Sequence, residues 1–297
     1  MASVTLSQHI KIYDKDLQKA VLKIAEASKI IKKGFYARQG TTDSYNIFGE
    51  KQLSLDKWAD EMLVSMLGKE GLVKKITTEE QPEIIDFPST SDLALTIDPL
   101  DGSSLIGTNL TVGTIVGFHR GEVMKRGEEL IGALYILYGP LTVLVYSFGN
   151  GVHEFVLDEN SEFILSNENI VIPDGKIISP GALRSEWFKF HSRWVEQLEE
   201  MKYKLRYSGS FVADIHQILH KGGIFAYPGF KGRVDGKLRL LYECIPMGYI
   251  IKQAGGAVSD GKQDVLTISP NSTQDRTPIY IGGRKEIKLI EKMKKVM

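Results

Sequence analysis

Between residues 111 and 157 the chain runs through four apolar stretches, 111–118, 131–137, 141–148 and 152–157, each cut from the next by Gly or Pro. Runs of this length, rich in Val, Ile, Leu and Tyr, suit strands. Connections this short favour neighbours in one sheet, so the spacing predicts a β-meander. Residues 93–97 form another short apolar run and read as a buried strand.

Helices flank this β-rich centre. Leu17, Ala20, Val21, Ile24, Ser28 and Ile31 fall at helical spacing, with Gly34 as the expected stop. Leu55, Trp58, Ala59, Met62, Leu63, Met66 and Leu67 trace a second helical stripe. Further on, residues 187–201 and 211–220 read as helices, the latter ending at Gly222-Gly223. Strands are expected at 224–227 and 238–242. Pro246 then opens a helix that Gly255-Gly256 closes, and a basic helix ends the chain. A soft boundary at 171–181 divides the chain into halves, 1–175 and 176–297.

The acidic residues carry the chemistry. Ile97-Asp98-Pro99-Leu100-Asp101-Gly102-Ser103-Ser104 follows the apolar run at 93–97 and reads as a strand ending in an acidic turn. Pro99 fixes one φ, and Gly102 permits a conformation other residues resist. Two carboxylates three apart across such a turn can converge on one point. Ser103 and Ser104 offer hydroxyls and backbone N–H groups to a phosphate. Magnesium takes hard oxygen ligands, often one or two carboxylates with substrate phosphate. A solvated Asp-rich turn is the plainer alternative, and the Pro, Gly and paired Ser around the two Asp weigh against it. Glu79-Glu80 is a second acidic pair, although neighbours on a strand face opposite ways. Glu243 is the third element, at a strand-to-helix junction, with Lys237 and Arg239 alternating just before it.

Other signals carry less. Residues 232–238 imitate a phosphate loop but are one residue short, with no Ser or Thr after Lys237. His216 and His220 stand four apart, yet Gln217 occupies the Glu position of a zinc-protease helix, so two ordinary helix histidines are expected. Cys244 is the single cysteine, which rules out an intramolecular disulfide. With 37 basic and 37 acidic side chains, net charge gives no sign of nucleic acid or an anionic membrane as partner. Neither a signal peptide nor a membrane span is legible, so a cytoplasmic location is expected.

Taken together, Asp98-Pro99-Leu100-Asp101-Gly102-Ser103-Ser104, Val112-Gly113-Thr114, Arg206-Tyr207-Ser208-Gly209-Ser210, Gly222-Gly223-Ile224-Phe225, Lys237-Leu238-Arg239-Leu240-Leu241-Tyr242-Glu243 and Gln253-Ala254-Gly255-Gly256 resemble the class I fructose-1,6-bisphosphatase and sedoheptulose-1,7-bisphosphatase group of lithium-sensitive sugar phosphatases. The resemblance runs from about Leu17 to the C-terminus. It implies an α/β fold layered α/β/α/β/α, an N-terminal metal-binding half, a C-terminal sugar-phosphate half and an active site between them. It implies two or three magnesium ions on Glu50, Glu79, Asp98, the Leu100 carbonyl, Asp101 and Glu243. Asp56 and Glu80, with Glu79, fall where the attacking water is activated. Asp101, Gly102, Ser103 and Ser104 are expected around the 1-phosphate, and Tyr207, Tyr227, Lys237 and Arg239 around the sugar and its distal phosphate. Arg206 matches an arginine that enters a neighbouring subunit's site, which implies a homo-oligomer, dimer or tetramer, as the only macromolecular partner.

The substrate within that group is a finer question. Leu105 replaces the Asn of the fructose enzymes. Residues 107–114, Tyr138-Gly139-Pro140, His153-Glu154-Phe155, 179–184 and Asp275-Arg276-Thr277 look more like sedoheptulose-1,7-bisphosphatase. Gly181 and Arg184 stand where the fructose enzymes carry an Asn and a Tyr. A smaller residue and a longer cation there suit a sugar one carbon longer, so sedoheptulose 1,7-bisphosphate is the expected substrate, with fructose 1,6-bisphosphate or dual use as the alternative. A non-catalytic sugar-phosphate sensor is a further one, against which the intact set Glu79, Asp98, Asp101 and Glu243 argues. Control by AMP or by thiols is not expected, because no AMP-binding segment is recognisable before Leu17 and Cys244 is alone.

Overall fold

The computed structural model describes residues 4–37, 41–45 and 51–296. Its centre is an eight-stranded sheet in the order Phe163–Asn167, His153–Leu157, Thr142–Ser147, Gly132–Tyr138, Val112–Arg120, Leu93–Asp101, Lys75–Thr78 and Ile85–Asp86. The expected meander accounts for consecutive strands of this sheet, all antiparallel. Its strands read as almost unbroken apolar runs because both faces are covered. Leu134 and Ile136 point to one face, and Ala133 and Tyr135 to the other.

On the first face, Leu95, Ile97, Val116, Leu134 and Ile136 meet Val21, Ile24 and Ile31 of helix Lys15–Ala37. Ala59, Leu63 and Leu67 of helix Ser54–Gly68 complete that layer. On the second face, Ile115, Tyr135, Val143 and Val145 pack on helices Phe211–Lys221 and Ile245–Gln253. The far sides of those helices rest on Phe225, Val258, Ile279 and Ile281 of a five-stranded sheet, ordered Lys204–Leu205, Ile177–Pro180, Ile224–Tyr227, Ile279–Gly282 and Ala257–Ser259. The other face of the small sheet offers Ile178, Ile224, Ala226 and Tyr280 to Trp194, Val195 and Leu198 of helix Lys189–Glu200, and to Ile287 and Ile290 of helix Arg284–Val296. Three separate apolar layers therefore bind five structural layers in the order α/β/α/β/α.

Two local expectations fail for physical reasons. Helix Lys15–Ala37 runs straight through Gly34 instead of stopping there. The glycine is a contact point, since a Cβ would lie 2.2 Å from Cζ3 of Trp58 on the neighbouring helix. Residues 238–242 are not a strand. Leu240–Cys244 is a π-helical turn, in which the Cys244 N–H reaches the carbonyl of Arg239 at 3.0 Å. A short buried apolar run does not distinguish strand from helix, and wide turns of this kind gather at functional sites.

Gly113 couples the large sheet to the central helix. A Cβ there would stand 2.4 Å from the carbonyl oxygen of Ile136 and 2.7 Å from Cγ1 of Val212. Backbone cannot yield as a flexible side-chain tip can. Gly113→Ala is therefore expected to destabilise by about 1–3 kcal/mol, which thermal denaturation would register as a fall of several degrees. An unchanged midpoint would show that strand and helix are not in tight contact there.

Candidate active site

The cleft that collects most of the expected residues lies where Phe225 and Tyr227, on the middle strand of the small sheet, face the end of strand Leu93–Asp101. It has a volume of about 370 Å³. Asp98 and Asp101 enter it from that strand. Residues three apart on a regular strand point to opposite faces. Here Asp98 pairs with Ile115 and Asp101 with Gly113, so three steps on one strand oppose two on the other. This β-bulge turns both carboxylates to the same side. The acidic segment is thus a bulged strand end and not the turn expected from sequence. Gly102 follows at φ 77°, in the left-handed region where glycine is favoured, and the chain then winds into the short helix Ser103–Thr108.

Each carboxylate is held by a different element. Asp98 Oδ1 accepts the Leu100 N–H at 3.0 Å. Asp101 Oδ2 accepts the Val212 N–H at 2.8 Å and the Ser210 hydroxyl at 3.1 Å, at the N-terminus of helix Phe211–Lys221. Glu243 Oε2 accepts the Arg239 N–H at 2.6 Å across the π-helical turn. That turn places the Glu243 carboxylate beside Asp98 and Asp101, and one ligand oxygen from each of the three lies within 4.8 Å of the others. All three side chains are buried. Glu79 and Glu80 both face the same cleft. The alternation rule does not separate them, because strand Lys75–Thr78 has ended and they sit in a turn. Asp56 joins them from the first turn of helix Ser54–Gly68. Glu50 lies outside the described residues.

Among the described residues, six carboxylates line the cleft against two cationic side chains, Lys237 and Arg239. Arg239 is buried, and its Nε donates to Glu79 at 3.1 Å. Burial and the crowding of like charges shift these carboxyls upward. Burial, then the charges of Glu79, Asp101 and Glu243, hold the Asp98 carboxyl well above the usual range. Burial, then Glu79 and Asp101, do the same to Glu243. Burial pushes Asp101 up to about 6, against the pull of the Val212 and Ser210 hydrogen bonds. An all-oxygen, densely anionic donor set of this kind suits a hard divalent cation. Beside it, burial raises the Cys244 thiol well above its ordinary value, which makes it a poor nucleophile.

Gly102, Ser103, Ser104, Tyr207, Tyr227 and Leu100 also line the cleft. Arg206 and Arg184 are not among its lining residues. Arg206 is exposed. Arg184 stands outside on the surface, 3.7 Å from Glu196 and over the Trp187 ring. The space expected beside Gly181 is filled from within, since a Cβ there would lie 2.3 Å from Cδ2 of Tyr227. Sequence reasoning missed Ser210 as the residue that caps the central helix and donates to Asp101. A Ser directly before the apolar run Phe211-Val212-Ala213 was the available signal. It also missed Asp214, which accepts the Ser208 N–H at 3.0 Å and whose carboxyl burial pushes up to about 6.

Comparison with known proteins covers nearly the whole chain. Family models described as "Fructose-1-6-bisphosphatase, N-terminal domain" and "Fructose-1-6-bisphosphatase, C-terminal domain" match residues 4–168 and 171–295. A class 1 fructose-1,6-bisphosphatase of Methanocorpusculum labreanum is 45% identical over 276 residues, 93% of this chain and 86% of that protein. One from Methanospirillum hungatei is 44% identical over 283 residues, covering 94% and 91%. Among solved structures, Leishmania major fructose-1,6-bisphosphatase in holo form superposes with a TM-score of 0.93 at 32% identity, covering 99% of this chain and all of that one.

The raised carboxyls make their own contribution to the pH dependence of the cation-free protein. A carboxyl whose folded value lies above its unfolded value binds more protons folded than unfolded. The stability contributed by Asp101 is therefore lost as pH rises from about 3.8 through about 6, while the buried His119, His191 and His216, which burial lowers, contribute in the opposite sense. Asp98→Asn removes one charge from the cluster. It is expected to raise the cation-free thermal midpoint at pH 8 by roughly 3 °C or more and to flatten that pH slope, while weakening divalent-cation binding. Differential scanning calorimetry of both proteins in chelator at pH 5 and pH 8 tests this. A variant less stable than the parent at pH 8 would contradict it.

Proposed function

The chain belongs to the fructose-1,6-bisphosphatase family, and we propose that it hydrolyses the 1-phosphate of fructose 1,6-bisphosphate with magnesium as its cofactor. It is a phosphoric monoester hydrolase that acts on a sugar bisphosphate. One observation carries the mechanism: a cleft lined, among the described residues, by six carboxylates and two cations repels a bisphosphate unless divalent cations intervene. When bound, magnesium neutralises the phosphate, lowers the pKa of a coordinated water and stabilises the leaving alkoxide.

The protein's own groups divide the remaining work. Glu79, Asp98, Asp101, Glu243 and the Leu100 carbonyl are the proposed ligands of two or three ions, with Glu50 a further one from the resemblance. Asp56 and Glu80, with Glu79, orient the attacking water and accept its proton. The Ser103 and Ser104 hydroxyls, with the backbone at Gly102 and the Asp101 carboxylate, are assigned to the 1-phosphate. Tyr207, Tyr227 and Lys237 are assigned to the sugar and its distal phosphate. Arg239, occupied by Glu79, serves to position that carboxylate as much as to bind substrate. These groups come from both sides of the proposed division at residue 175. Arg206 is exposed and available to a neighbouring copy, which supports a homo-oligomer.

Two observations favour the six-carbon sugar over the seven-carbon one expected from sequence. Relatives at 45% and 44% identity carry the fructose-1,6-bisphosphatase name. The structural rationale for a longer sugar also weakens, because the Tyr227 ring packs on Gly181 and Arg184 is turned to Glu196.

Phosphate release from the two ketose bisphosphates, measured side by side, tests the assignment. Higher kcat/KM on fructose 1,6-bisphosphate is expected, and the reverse order would restore the seven-carbon reading. Asp98→Asn, or excess chelator, should lower turnover by orders of magnitude. Lys237→Ala should cost roughly 10- to 150-fold in kcat/KM through a lost hydrogen bond to a charged group. Arg184→Ala should change it less than about 2-fold. A large, sugar-selective loss in Arg184→Ala would return that residue to the substrate site.

A further inference from the structure

His216 and His220 lie one turn apart on helix Phe211–Lys221, and the cleft does not use them. Facing them from the large sheet is Glu154, on strand His153–Leu157. One oxygen of Glu154 and one nitrogen of each histidine lie within 4.8 Å of one another. Sequence alone sets the two histidines aside, because Gln217 stands where a zinc protease carries Glu. The third ligand comes instead from a strand more than sixty residues away, where no local motif could announce it.

The surroundings of the three groups are arranged as those of a metal site are. Glu154 is buried, and its Oε1 is occupied by the Ser166 hydroxyl and the Asn167 amide, each at 2.7 Å. That leaves Oε2 directed at the histidines, 2.5 Å from His220 Nε2 and 4.0 Å from His216 Nε2. His216 Nδ1 lies 2.9 Å from the Tyr135 hydroxyl. As a neutral imidazole, His216 carries one ring proton. With that proton on Nδ1, shared with Tyr135, the lone pair of Nε2 faces a carboxylate oxygen too distant for a hydrogen bond. Two electron-rich atoms then point into the same space. Metal-bound histidines characteristically have the other ring nitrogen fixed in this way, and their ligating carboxylates are themselves hydrogen-bonded.

We propose that Glu154, His216 and His220 form a binding site for a divalent transition-metal ion of the zinc class, separate from the catalytic cations. Two imidazoles and one carboxylate suit zinc and disfavour magnesium, which prefers oxygen donors. His220 exchanges its hydrogen bond to Glu154 for a metal bond by moving its ring proton to Nδ1. Both histidines keep part of their side chains at the surface, so water completes the coordination. The ion ties strand His153–Leu157, next to the edge of the large sheet, to the helix whose first-turn N–H, at Val212, holds Asp101. Its effect is on the rigidity of that helix and not on the chemistry of hydrolysis.

The test is zinc retention by the whole protein. The chain, His216→Gln, His220→Gln, Tyr135→Phe and Asp98→Asn are dialysed against micromolar ZnCl2 with millimolar Mg2+ present, and bound zinc is counted by atomic emission. The parent and Asp98→Asn should hold one zinc that His216→Gln and His220→Gln lack. Tyr135→Phe should hold it at least about 10-fold more weakly. Zinc should also raise the thermal midpoint of the parent but not of His220→Gln. If His216→Gln fails to fold, the part-exposed His220→Gln carries the comparison. A parent that holds no zinc overturns the site. So does equal zinc in parent and His220→Gln, or a zinc lost in Asp98→Asn and kept in His220→Gln.

Discussion

Asp98, Asp101 and Glu243 converge within the protein interior, and the structure around them is organised to hold that convergence. Like charges in a medium of low polarity repel strongly, and burial adds its own penalty. Nothing local in the chain would choose such an arrangement. It persists because three devices enforce it. A bulge turns two carboxylates to one side of a strand, a helix N-terminus caps one of them, and a π-helical turn brings the third alongside. Each device spends regular backbone geometry to place one oxygen.

The layered architecture makes those devices affordable. The bulged strand is covered on both faces, so it cannot relax outward. The central helix is wedged between two sheets, and Gly113 lets it approach the strand closely enough for the Val212 N–H to reach Asp101. The lower edge of the cleft is shaped by the small sheet, where Gly181 admits the ring of Tyr227. Catalytic placement and core packing are therefore the same contacts seen from two sides.

The central helix has a second polar station. Its N-terminal turn meets Asp101, and its last two turns present His216 and His220 to Glu154. Along this helix Ile215, Ile218 and Leu219 are fully buried. A constraint at one end can reach the other only by moving a packed element as a unit. That makes the helix the natural mechanical link between strand His153–Leu157 and the reactive carboxylates.

Much of the layered fold was legible in sequence, because strands buried on both faces and amphipathic helices leave their period in the apolar residues. The meander, the central helix with its Gly222 stop, and the helix closed by Gly255-Gly256 were all readable for that reason. So were Asp98, Asp101, Gly102 and the serines, since an acidic pair with Pro and Gly is unusual next to a buried strand. Periodicity could not decide the state of residues 238–242, because a short buried run satisfies strand and helix alike. Nor could it see Ser210 as a partner of Asp101, or Arg184 turned to Glu196, or Tyr227 filling the space beside Gly181. Those are contacts between residues distant in the chain. By itself the sequence determined which segments are buried and which residue types could do chemistry. Only the tertiary structure decided which of them meet, because a side chain's partner is set by how layers stack, and stacking leaves no period in the chain.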